Sequence, residues 1–195
     1  MGLKRQAKIL TKGQTEAVLH FLSATRYPER NRAIFLLSAR AGLRAKEIAA
    51  LTWDMVTDAE GTVGDSIRLE DRASKGTSGR IIPLNKELRA ALLQIQKSQV
   101  GGRRSEFVVT TERATQTSAA AIVNLFAAWY ERLGFNGCSS HSGRRSFITN
   151  AARKISTVGG SLRDIQMLAG HASLATTQRY IESNGDAQRR IVELV

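Results

Sequence analysis

Apolar positions recur at helical spacing along most of this chain, and at strand spacing in one short stretch. Thr11-Lys-Gly-Gln14 has the form of a capping box, and Val18, Phe21 and Leu22 follow it at i, i+3, i+4. Pro28 suits the first turn of a second helix in which Ile34 and Leu37 face one way, and Gly42 is placed to end it. A short third helix is predicted over Ala45 to Leu51.

The period then changes. Ser66 to Glu70 alternates in strand fashion, as does Gly79 to Leu84 up to Pro83. Between them lies a polar turn, Asp71 to Gly79, with Lys75 near its tip. Gly61 and Gly64 mark an earlier turn. Helical spacing resumes at Asn85 with Leu88, Leu92 and Ile95. Gly101-Gly-Arg-Arg104 reads as a basic loop and Phe107 to Val109 as a short strand. Ile122, Phe126, Trp129 and Leu133 mark an amphipathic helix stopped near Gly134 and Gly137. Further helices are predicted over His141 to Lys154, Leu162 to Ala169 and Ser173 to about Glu182. The pattern predicts an α+β domain, mostly α-helical, with a small antiparallel sheet of about three strands. It divides into a basic arm at 1–10, a main domain at 11–183 and a tail at 184–195, with no internal repeat.

Composition sharpens this picture in one respect. The chain has 195 residues, enough for one sizeable core, and its 42% apolar content is ordinary. Its net charge of +12 and pI near 10.7 are not ordinary. So large an excess points to a polyanionic partner, because each neutralised phosphate releases counterions. Binding to a membrane surface predicts instead a basic amphipathic helix, whereas here the Lys and Arg are scattered along the whole chain. The single cysteine, Cys138, excludes an intramolecular disulfide and a cysteine-rich zinc site. No signal peptide and no membrane span is recognisable. These features fit a soluble, cytoplasmic protein that faces nucleic acid.

Two nitrogen-rich clusters carry the candidate chemistry. His141-Ser-Gly-Arg144 puts an imidazole and a guanidinium three residues apart, on one face of a helix. Leu168-Ala-Gly-His171 runs on to Tyr180. Cations and imidazoles near a phenol suit phosphoryl transfer, where charge neutralisation and positioning do most of the work. Each residue also has a plainer reading. Arg144 can be a solvated helix arginine, Tyr180 a half-buried packing side chain, and Lys75 an exposed turn lysine. Arg44, after the helix stop at Gly42, can pair with Glu47 across one turn or hold a phosphate in its rigid fork.

Order and spacing together carry more than any one residue. Gly42-Leu-Arg44-Ala-Lys-Glu47, Lys75 ahead of Pro83-Leu84, His141-x-x-Arg144, Gly170-His171 and Thr177-x-x-Tyr180 occur in sequence. In this the chain resembles the tyrosine recombinase (phage integrase) family over roughly residues 10 to 182. Two positions depart from the family's pattern. Gly143 stands where a leucine is usual, which weakens a helix by ~1 kcal/mol, and Ala169 replaces the usual leucine before Gly-His.

The resemblance implies a site-specific recombinase that cleaves and rejoins double-stranded DNA at a specific recombination site through a 3′-phosphotyrosyl link. It implies that Tyr180 is the nucleophile and that Arg44 and Arg144 hold the non-bridging oxygens. His141 would assist proton removal or bond the phosphate, Lys75 would protonate the departing 5′ oxygen, and His171 would bind the phosphate or orient Tyr180. It implies no metal, no nucleotide cofactor, and a homo-oligomer, a tetramer, on DNA. A type IB topoisomerase would use nearly the same side chains, and a non-catalytic DNA-binding protein could keep the same fold. Family members commonly carry a DNA-clamping domain ahead of the catalytic one. Here the first 10 residues leave no room for it, as expected of either a fragment or a short single-domain member.

Overall fold

The computed structural model describes residues 7–74, 78–99, 105–112, 114–180 and 192–193. Eight helices are present among them: α1 (Lys12–Ser23), α2 (Pro28–Ala41), α3 (Ala45–Ala49), α4 (Lys86–Gln99), α5 (Ala119–Arg132), α6 (Ser142–Lys154), α7 (Leu162–Ala169) and α8 (Leu174–Gln178). Strands β1 (Ser66–Leu69) and β2 (Arg80–Pro83) pair antiparallel, with Ile67 opposite Ile82. The predicted mostly helical domain with a small antiparallel sheet is therefore what forms. The sheet has two strands among the described residues rather than about three. Phe107 makes only a single bridge, to Thr52.

Local signals set the helix ends. Thr11 and Gln14 cap α1 reciprocally, Thr11 Oγ1 accepting from Gln14 N and Gln14 Oε1 from Thr11 N. Pro28 opens α2, and Gly42 closes it with φ +67°. Helix α2 lies at the centre, against α1, α4 and α6, and Ile34, Phe35, Leu36 and Leu37 are all fully buried. An all-round apolar stretch is what a central helix requires. Phe126 of α5 meets Phe35 with ring centroids 6.5 Å apart. Burying a side chain of that size stabilises by about 1.5–3 kcal/mol.

A second, smaller apolar cluster holds the end of the chain. Ile148 of α6 packs with Ile165 and Ala169 of α7, and Phe147, Ala151 and Tyr180 lie partly buried against them. Helix α7 also packs on α8 and β2. The N-terminal segment is tied to this region: Leu10 N donates to Ser146 Oγ (2.7 Å) and Arg145 Nη1 to Ala7 O (2.9 Å). Lys75, the 101–104 loop and the tail apart from 192–193 lie outside the described residues.

Candidate active site

Arg144 is built into the meeting point of two helix ends. Helices α2 and α7 both terminate in a left-handed glycine, Gly42 (φ +67°) and Gly170 (φ +60°). Each leaves carbonyls without an intrahelical partner. Arg144 Nη1 donates to Gly42 O (2.5 Å) and Nη2 to Ala169 O (2.6 Å). The negative ends of two helix dipoles thus face one guanidinium. Burial, then the nearby charge of Arg44, pushes the Arg144 pKa down to about 10, with Glu47 opposing, so it remains a cation at neutral pH.

The glycines matter for space as well as for φ. A Cβ on Gly42 would lie 2.6 Å from the Phe147 ring, and one on Gly170 would lie 2.7 Å from Arg80 Nη1. Gly143 has a different reason. A Cβ there would meet Ser38 Oγ at 2.6 Å and Ala39 N at 3.3 Å. Glycine in place of leucine in the Arg144 box therefore goes with a close approach of α6 to α2 at Ser38 and Ala39.

Arg44 sits just before α3 and Glu47 just inside it. Arg44 Nη1 donates to Glu47 Oε1 (2.7 Å) and Arg44 N to Glu47 Oε2 (2.9 Å), so the pairing across one turn is formed. Glu47 is 1% exposed and also receives Arg80, whose Nη1 and Nη2 reach its two oxygens at 3.2 and 3.0 Å. Burial pushes the Glu47 carboxyl up. The bonds and charge of Arg80, then those of Arg44, outweigh this and hold it below the usual carboxylate range. Arg44 itself keeps a partly exposed side chain.

His171 follows Gly170 and is 8% exposed. Its Nδ1 lies 3.0 Å from Thr177 Oγ1, and its ring stacks on Tyr180 with centroids 5.3 Å apart and planes at 23°. Burial, then the charges of Arg144, Arg44 and Arg80, pushes its pKa down to about 4. The ring is neutral at pH 7. His141 stands at the N-cap position of α6 without a side-chain capping bond and is exposed overall. Partial desolvation and then Arg144 and Arg44 lower its pKa too.

Two adjoining clefts open here, with Thr176 in the wall of both. One, of about 360 Å³, is lined by His141, Arg144, Arg179 and Tyr180. The other, of about 740 Å³, is lined by Arg44, Arg80, Arg163 and His171. Five of the six candidate residues, Arg44, His141, Arg144, His171 and Tyr180, thus share one region. The sixth, Lys75, lies outside the described residues, although Ser78 and Gly79 just after it line the larger cleft.

Two points differ from the sequence reading. Helix α8 ends at Gln178, so Tyr180 stands in the turn beyond it rather than two turns inside a helix. Its carbonyl accepts from Thr149 Oγ1 of α6 at 3.1 Å, a tertiary tie that no local pattern reveals. Arg80 is the site residue that sequence reasoning missed. In the sequence Arg80 is one position of an alternating strand, with no local signal of its partners.

Residues 8–186 match the profile of the phage integrase family. The chain is 29% identical over 191 residues to tyrosine recombinase XerA of Thermococcus kodakarensis, a match covering 95% of this chain and 62% of that protein. It is 30% identical over 155 residues to tyrosine recombinase XerC of Pelobacter propionicus, covering 79% of this chain and 48% of that protein. The chain thus spans about half to two thirds of the length of these relatives. Its fold is that of a solved XerA recombinase (TM-score 0.73, 23% identity, covering 95% of this chain and 64% of that one). It is equally that of a Tn1549 transposon integrase solved with a circular intermediate DNA (TM-score 0.76, 21% identity, covering 97% and 66%).

Proposed function

The chain belongs to the phage integrase family, and on that premise we propose that it cleaves and rejoins double-stranded DNA at specific sites, with Tyr180 as nucleophile. Tyr180 Oη attacks the phosphorus of a phosphodiester. The P–O5′ bond breaks, a 3′-phosphotyrosyl ester forms and a 5′-hydroxyl leaves. Attack by a 5′-hydroxyl on that ester reverses the step and frees Tyr180. The ester conserves the energy of the broken bond, so rejoining needs no other source.

Charge develops on the non-bridging oxygens in the transition state. Arg44 and Arg144 neutralise it as fixed donors that need not reorganise. The observation that carries this reading is the seating of Arg144: a buried guanidinium held by two helix-end carbonyls, in the same cleft wall as Tyr180. A cation used only for surface affinity needs no such enclosure. His141, kept neutral, accepts the Tyr180 proton. His171, neutral and stacked on the phenol ring, orients it. Lys75 protonates the departing 5′ oxygen; a lysine with the ordinary pKa of about 10.4 carries that proton at pH 7. The net charge of +12 supplies the long-range attraction for DNA. Domain limits of 1–10, 11–183 and 184–195 belong to the same proposal, as does a tetramer on DNA assembled through the tail.

The test is a suicide substrate, a duplex nicked just 3′ of the scissile phosphate so that the short released piece carrying the 5′-hydroxyl diffuses away. Wild-type protein should form a denaturant-resistant DNA adduct, and Tyr180→Phe should form none. An adduct of equal yield with Tyr180→Phe would overturn the assignment.

A further inference from the structure

The larger cleft contains a buried arginine that no candidate role accounts for. Arg80 has a side chain only 5% exposed, against 29% for Arg44. Its Nε donates to Leu168 O (2.8 Å), Nη1 to Glu47 Oε1 (3.2 Å) and Ser78 O (3.1 Å), and Nη2 to Glu47 Oε2 (3.0 Å). A guanidinium has five N–H donors. Four of them are taken up by the protein, so Arg80 is aimed at protein and not at an incoming phosphate.

What it joins is the informative part. On one side is Glu47, whose carboxylate holds both the backbone and the side chain of Arg44. On the other is Leu168 in the last turn of α7, next to Ala169, whose carbonyl anchors Arg144. Gly170 follows, and its missing side chain leaves the space that the Arg80 guanidinium occupies. His171 comes next. Arg80 lies 33 residues from Glu47 and 88 from Leu168 in sequence, so it ties together parts of the fold with no local connection.

We propose that Arg80 is a positioning residue for DNA cleavage, a cross-brace that fixes Arg44 through Glu47 and the seat of Arg144 and His171 through Leu168. The proposal rests on the phosphoryl-transfer reading above. Its physical basis is that donors to a transition state act only if held in register, and a displacement of about 1 Å can cost about 100-fold in rate. A bidentate arginine fork sets both distance and angle, which a lysine at the same place does not.

The experiment compares wild type, Arg80→Met, Arg80→Lys, Glu47→Gln and Arg80→Met/Glu47→Gln. The double variant removes both charges, so no carboxylate is left buried with one partner fewer. Each is measured for thermal unfolding, for DNA affinity and for single-turnover cleavage of the suicide substrate at saturating protein. Arg80→Met is expected to cleave about 100-fold slower with little change in affinity, and Arg80→Lys to fall between it and wild type. The double variant is expected to fold. Because Glu47→Gln also loosens Arg44, the double variant is read against Glu47→Gln alone. It should cleave more slowly than that variant through loss of the Leu168 tie, and equal rates overturn the proposal if Arg80→Met does not fold. Wild-type cleavage by either folded Met variant overturns the proposal, as does a loss confined to affinity. Failure of the wild-type protein itself to form an adduct would instead count against the underlying reading, and is scored separately.

Discussion

His171 and Tyr180 stack face to face, with ring centroids 5.3 Å apart, and Thr177 Oγ1 holds the His171 ring at Nδ1. The contact places a neutral imidazole against the phenol at the edge of two clefts crowded with guanidinium groups. Together with the bond from Thr149 Oγ1 to its carbonyl, it fixes Tyr180 in the short turn beyond α8. Several consequences of this arrangement can be measured.

Arg144→Ala removes the guanidinium that two helix ends enclose. Losing one donor to a developing oxyanion costs about 100- to 1000-fold in rate, so single-turnover cleavage should fall by that much. DNA affinity should fall far less, since Arg144 is one cation among many. Two carbonyls also lose a charged donor, which should lower stability by about 1.5–3 kcal/mol in urea unfolding. Parallel losses in affinity and cleavage would contradict the transition-state role.

Gly143→Ala should destabilise the protein, although alanine is the better helix former by about 1 kcal/mol. The added Cβ would press on Ser38 and on the Ala39 backbone. Overpacking of this kind costs about 1–3 kcal/mol. Pairing the change with Ser38→Gly should recover much of the loss. A single variant more stable than wild type would show that α6 and α2 do not approach so closely.

Gly42→Ala places a side chain at φ +67° and against the Phe147 ring. The left-handed backbone alone costs about 1–2 kcal/mol. The same change at Gly134, also at φ +67° but with open space around it, carries the backbone cost only. Gly42→Ala should therefore be the more destabilising of the two and should also slow cleavage, because Gly42 O anchors Arg144. Equal stability losses and equal cleavage rates for the two variants would contradict this.

Stability should depend on pH in a defined window. His171 has a pKa near 4 when folded against 6.5 when free, so between these values the unfolded chain binds more protons. Stability therefore falls as pH drops from about 6.5 toward 4. His141 shifts in the same direction and adds to the slope. Glu47 contributes only lower down: its folded pKa is below 4.5, so its contribution is intact above that value and is lost as pH falls through the folded one. Urea midpoints between pH 7 and 5 should decline for wild type and flatten in His171→Gln. An unchanged slope in the variant would assign the effect elsewhere.

Much of the fold was legible because its signals are local. Thr11 with Gln14, Pro28, and Gly42 each declare a helix end within four residues. The side chains of the site were legible through their spacing, from Arg44 to Tyr180. What could not be read is what holds them. Arg144 is anchored on carbonyls 102 and 25 residues away, and Arg80 on partners 33 and 88 away. Such ties follow from how α2, α6 and α7 pack, which periodicity does not encode. The end of α8 is hidden from the sequence for a related reason: Tyr180 is held by α6 through Thr149, not by continuing its own helix.

The central claim is that Tyr180 attacks a DNA phosphorus and keeps the 3′ side. The most direct measurement is to digest the adduct with protease and nuclease and map the linked nucleotide by mass spectrometry. The nucleotide should be on Tyr180, joined through its 3′-phosphate, with a free 5′-hydroxyl on the released strand. Linkage to any other residue, or through a 5′-phosphate, would contradict the account.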